Sequence, residues 1–212
     1  MLKVGLTGSI AVGKTFVCEV LREAGLHVLD ADQTARDVVA PGTKGLADIV
    51  TAFDHEILKP DGSLDRERMG RLVFADEAKR KLLNSIVHPL VIEAQDRWIR
   101  EIDVQDPRGI AVIDAALMIE SGGYVRFDKL IVVWCRPELQ LGRLTSRNGL
   151  SVEAAKQRID AQMPQDEKKR FADYLIDTSH GFDDARRQTL EVVEELRALA
   201  ANYGAPQEKQ DT

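Results

Sequence analysis

The sequence predicts a three-layer α/β fold, with a parallel five-stranded sheet, a helical insertion and a helical lid. Three patterns indicate this fold. Residues 1–30 read as strand, glycine-rich loop, helix and strand, and a βαβ opening of this kind favours a parallel sheet. Two later segments are nearly continuous apolar runs, which is typical of strands that are covered on both faces. The long stretch between the opening and these runs shows helical spacing without a strand pattern, so it is expected to be an insertion.

Each predicted strand is a short, mostly apolar segment. The five strands are Leu2–Thr7, His27–Asp30, Ile110–Asp114, Lys129–Cys135 and Asp173–Asp177. The helices of the core are identified by one-sided apolar spacing and by residues that begin or end helices, such as Gly25 and Ser151. They are predicted at Thr15–Ala24, Pro137–Asn148, Ser151–Met163 and Phe182–Ala201.

The middle of the chain, from about Ala31 to Glu101, is predicted to be helical, with breaks at Pro41-Gly42, Lys59–Gly62 and His88-Pro89. We therefore expect a single domain over residues 1–204 with inserted pieces. Its core comprises 1–40, 106–137 and 172–204, the helical insertion covers about 41–105, the lid covers about 138–171, and a polar tail follows at 205–212.

The charge balance is acidic, since 29 Lys and Arg stand against 35 Asp and Glu in 212 residues, for a formal net charge of −6. This balance argues against a general nucleic-acid binder, whose affinity depends on many phosphate contacts from lysine and arginine. It also argues against a basic membrane-surface protein. No extra interaction module is visible, so no protein partner is expected. An anionic substrate must therefore be held by locally gathered positive charge.

The two cysteines, Cys18 and Cys135, cannot form a disulfide framework, and their apolar neighbours predict two buried small side chains. A cytoplasmic protein is expected, because no stretch approaches the ~18 apolar residues of a membrane span and the N-terminus lacks a signal-peptide pattern. The four histidines and two cysteines have no metal-site spacing, so neither a protein zinc site nor an organic cofactor is expected.

The segment Gly8-Ser9-Ile10-Ala11-Val12-Gly13-Lys14-Thr15 matches the phosphate-loop pattern G-x-x-x-x-G-K-[ST] between a predicted strand and a predicted helix. Its glycines let the backbone curve around phosphate groups, and the following helix N-terminus adds positive potential. Lys14 places a charge against the β- and γ-phosphates, and the Thr15 hydroxyl is suited to Mg²⁺. The loop predicts binding of a nucleoside triphosphate but does not choose among kinase, GTPase and ATPase. The guanine-reading pattern N-K-x-D is absent, which argues against a GTPase.

A second polar element, Asp30-Ala31-Asp32, follows the second strand at the edge where open α/β sheets bind ligands. A carboxylate there can face a substrate hydroxyl, although Asp30 is equally suited to cap the next helix and Asp32 to lie in its first turn. Arg36 lies one helical turn after Asp32. It is either the partner in an ordinary ion pair or a phosphate-binding cation beside the carboxylate.

Four further polar features each carry an interpretation. Asp114 ends an apolar strand, where it either holds Mg²⁺ or caps the next helix. Arg143 lies in the helical pair after the fourth strand and is favoured as a cation that closes on the transferring phosphoryl group. The run Lys168-Lys169-Arg170 is interpreted as a solvated basic face. A lone histidine such as His88, before Pro89, is interpreted as a helix cap or a satisfied buried polar group.

Together these motifs resemble the dephospho-CoA kinase family. The specific part is the element D-A-D-x-x-x-R-x-x-x-x-P-G, from Asp30 through Arg36 to Pro41-Gly42, because many families share the phosphate loop. The resemblance runs from about residue 2 to about residue 200. Its further matches are His88-Pro89, Asp114, Leu117, Glu120, Arg143, Arg147, Gln157-Arg158 and Ala172–Asp177.

The resemblance implies transfer of the ATP γ-phosphate to the ribose 3′-hydroxyl of dephospho-CoA, which gives CoA and ADP in the last step of coenzyme A synthesis. Asp32, which the resemblance implies as the base, is expected to act with Lys14 and Arg143. ATP is expected at Gly8, Ala11, Val12, Gly13, Lys14, Thr15, Phe16 and Arg143, and the acceptor at Asp32, Arg36, His88 and Leu117. Mg²⁺ is expected with ATP, at Thr15 and Asp114, directly or through water.

Overall fold

The computed structural model describes residues 1–202, apart from the side chains of residues 147 and 148, so the predicted tail at 205–212 lies outside it. The strands are β1 (Leu2–Thr7), β2 (His27–Asp30), β3 (Ile110–Asp114), β4 (Lys129–Trp134) and β5 (Tyr174–Asp177). The helices are α1 (Lys14–Glu23), α2 (Ala31–Asp37), α3 (Lys44–Phe53), α4 (Arg66–Ala75), α5 (Glu77–Gln105), α6 (Pro137–Asn148), α7 (Val152–Asp160), α8 (Gln165–Lys168) and α9 (Phe182–Asn202). No helix within residues 1–202 combines a membrane-spanning length with an apolar sequence.

The five strands form one sheet in the order β2-β3-β1-β4-β5. The central strand, β1, pairs in parallel with β3 and β4, and β4 pairs in parallel with β5. The register sets Leu6 opposite Asp114 and Thr7 opposite Val132. The predicted parallel five-stranded sheet is confirmed. Because parallel strands end at one edge, the segments that follow β1, β3, β4 and β5 all begin at that edge.

The central strands are buried on both faces. All five residues of β3 are buried, and so are five of the six residues of β1. Since successive side chains of a strand point to opposite faces, helices must cover the sheet on each side, as a three-layer fold requires. On one side α9 packs against α1, β1 and β3. The core around these elements includes Val4, Leu6, Val17, Leu21, Val112, Ile131, Val193 and Leu196.

The chain divides into two compact units. The first contains Met1–Leu29 and the described residues from Ile102 onward, and the second contains Asp30–Glu101. The second unit has an apolar core of its own, formed by Val39, Leu46, Ile49, Ile57, Leu64 and Met69. The predicted insertion begins at about residue 41, whereas the second unit begins at Asp30 and so includes α2. The single-domain interpretation stays a prediction.

The predicted helix break at His88-Pro89 is wrong. The long helix α5 continues from Glu77 to Gln105 with Pro89 in its interior. A proline removes one backbone hydrogen bond from a helix, and Pro89 is exposed, where solvent can satisfy the carbonyl group that this frees. The break lies at Asp76 instead, whose Oδ1 accepts hydrogen bonds from the backbone N–H groups of Ala78 and Lys79 at 2.9 and 3.1 Å. These bonds cap the first turn of α5.

Candidate active site

The phosphate loop connects β1 to α1, since Thr7 is the last residue of the strand and Lys14 is the first of the helix. Two loop residues have positive φ, Ala11 at 61° and Gly13 at 92°. Left-handed residues in such a loop turn backbone N–H groups into a concave arrangement that binds anions. Gly13 is also the N-cap of α1 and has no side chain, so it leaves the first N–H groups of the helix to a ligand.

The first glycine of the loop has no room for a side chain. A Cβ atom on Gly8 would lie 2.5 Å from the carbonyl oxygen of Val133 and 3.0 Å from Cγ2 of Val12. The Val133 oxygen is backbone of β4 and cannot move independently of the sheet. The chain therefore leaves β1 at a position that only glycine can occupy without a shift of the sheet.

Three side chains from other parts of the first unit hold the loop backbone. Gln140 on α6 donates from Nε2 to the carbonyl oxygen of Ile10 at 2.8 Å. The N–H of Ile10 donates to Oε1 of Gln162, also at 2.8 Å. The hydroxyl of Thr178, which follows β5, donates to the carbonyl oxygen of Val12 at 2.6 Å. These bonds fix the loop backbone in the folded chain, and a loop that is already ordered has a lower ordering cost on binding a ligand.

Lys14 and Asp114 form an ion pair at the carboxyl ends of β1 and β3. The pair follows from the sheet, because β1 and β3 are neighbours and Asp114 is the last residue of β3. Lys14 Nζ donates to Asp114 Oδ1, and the two side chains are 18% and 11% exposed. The helical turn that follows β3, Gly123–Arg126, has Gly122 as its N-cap and no side-chain cap, so the alternative in which Asp114 caps the next helix is wrong. The structure thus brings together two of the residues that were assigned to phosphate and metal.

The second carboxylate oxygen of Asp114 accepts a hydrogen bond from a thiol. Cys18 Sγ donates to Asp114 Oδ2 at 3.3 Å, and Cys18 is 2% exposed in the main core. Burial, and secondly the neighbouring Asp114 carboxylate, raise the pKa of the Cys18 thiol to about 12. The thiol is therefore protonated at neutral pH and acts as a donor. Cys135 is also buried, and neither cysteine is in a disulfide, so the predicted burial of both cysteines is confirmed.

Thr15 and Phe16 follow Lys14 at the start of α1. Thr15 is exposed, and the ring centroid of Phe16 lies 4.9 Å from that of Phe182 at the start of α9. The hydroxyl of Thr15 and the carboxylate of Asp114 are hard oxygen donors, which are the ligands that Mg²⁺ prefers. The chemistry of these two groups therefore fits the predicted metal.

Arg143 reaches the phosphate loop through one intermediate residue. Its guanidinium donates from Nη1 to the hydroxyl of Thr178 at 2.8 Å and from Nη2 to the Thr178 carbonyl oxygen at 2.7 Å. The same hydroxyl donates to Val12 in the loop. The structure thus links the predicted lid arginine to the loop. Of the other predicted lid arginines, Arg158 is exposed on α7 and the side chain of Arg147 lies outside the described part of the chain.

The interpretation of Lys168-Lys169-Arg170 as a solvated basic face is wrong at its first residue. Lys168 is 0% exposed. Its Nζ donates to the carbonyl oxygen of Ala116 at 2.9 Å and pairs with Glu120 Oε1 at 2.8 Å. Glu120 Oε1 also accepts the N–H of Met163 at 3.2 Å. The buried ammonium therefore ties α8 to the segment that follows β3, which a charge pattern alone does not reveal.

The next lysine in this run is also engaged. Lys169 Nζ lies 3.5 Å from the centroid of the Trp134 ring, a cation–π contact at the end of β4. It also pairs with Asp166 at 2.9 Å. Only Arg170 is exposed, as the prediction of a solvated face requires.

The Asp30-Ala31-Asp32 element lies in the second unit, at the start of α2. Asp30 is the N-cap, since its Oδ1 accepts the N–H groups of Asp32 at 2.8 Å and Gln33 at 3.0 Å. The capping alternative for Asp30 is therefore confirmed. Asp32 and Arg36 are exposed on α2 and four residues apart, so they lie on the same side of the helix.

The structure changes the interpretation of His88 and leaves Leu117 accessible. His88 is exposed in the interior of α5, so it is neither a helix cap nor a buried polar group. Leu117 lies in the first unit, in the segment that follows β3, and is 52% exposed. Both side chains are accessible to a ligand, and their roles toward the acceptor stay predictions.

The residues that support the site were not predicted from the sequence. Two had a readable signal. Cys18 lies four residues after Lys14, a spacing that puts two side chains on the same side of a helix, and Thr178 directly follows a strand at the ligand-binding edge. Gln140 and Gln162 had no signal, because neutral side chains in helical segments match a solvated surface equally well.

Comparison with known proteins identifies the family. A family model described as dephospho-CoA kinase (CoaE) matches residues 2–184. A dephospho-CoA kinase of Listeria monocytogenes is 41% identical over 191 residues, which cover 88% of this chain and 93% of the relative. One of Streptomyces avermitilis is 41% identical over 208 residues, which cover 98% and 100%. The solved dephospho-CoA kinase of Campylobacter jejuni is 26% identical, with a TM-score of 0.63 over 92% of this chain and 96% of that one. The resemblance drawn from the motifs is confirmed: the chain belongs to the dephospho-CoA kinase family and is a P-loop kinase.

Proposed function

We propose that this protein transfers the γ-phosphoryl group of ATP to the ribose 3′-hydroxyl of dephospho-CoA, giving CoA and ADP in the last step of coenzyme A synthesis. The observation that carries the proposal is the phosphate loop, which is held in shape by three side chains, in a chain whose family match includes both the loop and the Asp30–Gly42 element. The small-molecule substrates are ATP and dephospho-CoA. We place the reaction in the cytoplasm, without nucleic-acid, membrane or protein partners.

The ATP phosphates bind to the loop. Gly8, Ala11, Val12 and Gly13 supply the curved backbone, and the free N–H groups at the start of α1 face the anion. Lys14 exchanges the Asp114 carboxylate for the β- and γ-phosphates. Phe16 lies beside this site, against Phe182. Arg143, which Thr178 holds beside the loop, adds a second cation for the charge that spreads over the transferring group.

The Thr15 hydroxyl and the Asp114 carboxylate are the groups that would hold Mg²⁺, directly or through water. When bound, Mg²⁺ supplies positive charge that neutralises the β- and γ-phosphate oxygens. When Lys14 turns to the phosphates, Asp114 Oδ1 loses its lysine partner and would be available to a cation, while Oδ2 keeps its thiol partner. The ion pair thus keeps the carboxylate and the lysine satisfied until the nucleotide arrives.

The acceptor is activated by Asp32. Its carboxylate takes the proton of the 3′-hydroxyl as the 3′ oxygen bonds to the γ-phosphorus, and the bond from that phosphorus to the bridging oxygen of ADP breaks. The backbone N–H groups of Asp32 and Gln33 donate to Asp30 Oδ1, and these N-cap bonds orient the first turn of α2. Arg36, His88 and Leu117 contact the acceptor.

One assay tests the substrate assignment. Purified protein with MgATP is expected to form ADP only when dephospho-CoA is added, with CoA formed in equal amount. A matched control replaces dephospho-CoA with CoA, whose 3′ position is already phosphorylated. ADP formation that depends on another alcohol and not on dephospho-CoA would show that the assignment is wrong.

Lys14→Ala is expected to weaken ATP binding and to lower kcat by about 10²–10³-fold, because it removes a cation that acts on the transferring phosphoryl group. Titration calorimetry with ATP and a steady-state assay measure the two effects. Lys129→Ala is the matched control, since Lys129 is paired with Asp173 at the start of β4, away from the ligand-binding edge. Unchanged ATP affinity and turnover in Lys14→Ala would contradict the assignment.

A further inference from the structure

We propose that Cys18 is a positioning residue for Asp114: its thiol holds Oδ2 and thereby directs Oδ1 toward the Lys14 side of the site. The inference rests on the proposed role of Asp114 as a Mg²⁺-holding carboxylate. Cys18 has no contact with substrate in this scheme and acts only through the carboxylate.

The hydrogen bond between Cys18 and Asp114 is shielded from solvent. The Asp114 side chain is 11% exposed and Cys18 is 2% exposed, so solvent does not compete freely for either group. Lys14 bonds to Oδ1 and Cys18 to Oδ2, at 3.3 Å for the thiol. Each oxygen of the carboxylate therefore has its own donor, and a buried polar group that loses its donor is destabilised.

Both donors come from the same helix. Lys14 is the first residue of α1 and Cys18 lies four residues further, which is one helical turn. Cys18 is also packed into the main core with Val17 and Leu21, so its position is set by the helix and by its apolar neighbours. α1 thus presents a movable cation to one oxygen and a fixed thiol to the other.

The contrast between the movable Lys14 and the fixed Cys18 becomes important when a nucleotide binds. The terminal torsion of an aspartate is broad, so a carboxylate with a single partner can turn about it. Once Lys14 moves to the phosphates, Cys18 is the protein donor that still holds the carboxylate plane. A positioning group of this kind sets the affinity for a metal without touching it, typically by about 10–100-fold.

The test measures how much Mg²⁺ strengthens nucleotide binding. The affinity for ADP is measured by calorimetry with and without Mg²⁺, and the ratio of the two affinities is the Mg²⁺ gain. Cys18→Ala is expected to reduce this gain by about 10-fold. Cys18→Ser keeps a donor on the same side chain and is expected to retain the gain to within about 3-fold, because a hydroxyl donates more strongly than a thiol.

Two further variants make the result specific. Val20→Ala removes buried volume from the same helix, so it is expected to lower the melting temperature and leave the Mg²⁺ gain unchanged. Asp114→Asn is expected to abolish the gain. The positioning role is refuted if Asp114→Asn abolishes the Mg²⁺ gain while Cys18→Ala retains it. It is also refuted if Val20→Ala reduces the Mg²⁺ gain as much as Cys18→Ala does. In both cases the proposed function stands. If Asp114→Asn keeps the wild-type gain, the proposed metal role of Asp114 is wrong, and the role of Cys18 falls with it.

Discussion

Asp32→Asn is expected to lower kcat by about 10²–10⁴-fold, because an amide cannot accept the proton of the acceptor hydroxyl. Affinity for ATP is expected to change little, since the phosphate loop and Lys14 lie outside α2. The side chain is nearly unchanged in size, and Asp32 is exposed, so the fold is expected to be retained. Steady-state kinetics with dephospho-CoA as the varied substrate measures the loss, and calorimetry with ATP measures the affinity.

Asp37→Asn is the matched control for this experiment. Asp37 is a second exposed carboxylate on α2, and its Oδ1 accepts a hydrogen bond from Gln33 at 2.8 Å. The same change of charge on the same helix is expected to leave kcat near the wild-type value. A near-wild-type rate in Asp32→Asn would remove Asp32 from the role of base, whereas an equal loss in both variants would indicate a general effect of charge on α2.

Lys168→Ala is expected to lower the free energy of unfolding by ~3 kcal/mol, because it removes one partner of a buried ion pair. Breaking such pairs costs about 3–5 kcal/mol, and the lower end applies here for two reasons. Glu120 is 23% exposed and can be hydrated, and the Ala116 oxygen keeps a hydrogen bond from the Thr7 hydroxyl at 3.1 Å. For a chain of this length the loss corresponds to a drop in melting temperature of about 6–12 °C, which scanning calorimetry measures.

Two controls separate the buried charge from other effects of Lys168→Ala. Lys156 is an exposed lysine on α7, and Lys156→Ala is expected to change stability by less than about 0.5 kcal/mol. Lys168→Met keeps most of the side-chain volume but removes the ammonium group, so it isolates the loss of the hydrogen bonds from the loss of packing. If Lys168→Ala has no larger effect than Lys156→Ala, the buried pair does not stabilise the unit.

Local patterns predicted most of the framework. The helix Pro137–Asn148 and the strands β1, β2 and β3 were predicted with their observed bounds, and β4 and β5 each differ from the predicted strand by one residue at one end. The phosphate loop was found because its two glycines, Lys14 and Thr15 stand at a fixed spacing in the sequence, and the backbone at Gly13, where φ is 92°, shows why a glycine is needed there. The predicted helix break at His88-Pro89 was wrong because a proline is only a local signal. A long helix such as α5 can include a proline at an exposed position.

By itself, then, the sequence determined the fold class, the phosphate loop and the family, because these depend on periodicity and on residue types at fixed spacing along the chain. The tertiary structure decided which groups are partners: Cys18 with Asp114, Thr178 with Arg143, and Lys168 with Glu120. The members of these pairs lie 35 to 96 residues apart. From the sequence, a charged or polar residue can equally lie on a solvated surface or be buried with a partner. Only the folded chain shows whether the side chain is buried and which group it is hydrogen-bonded to.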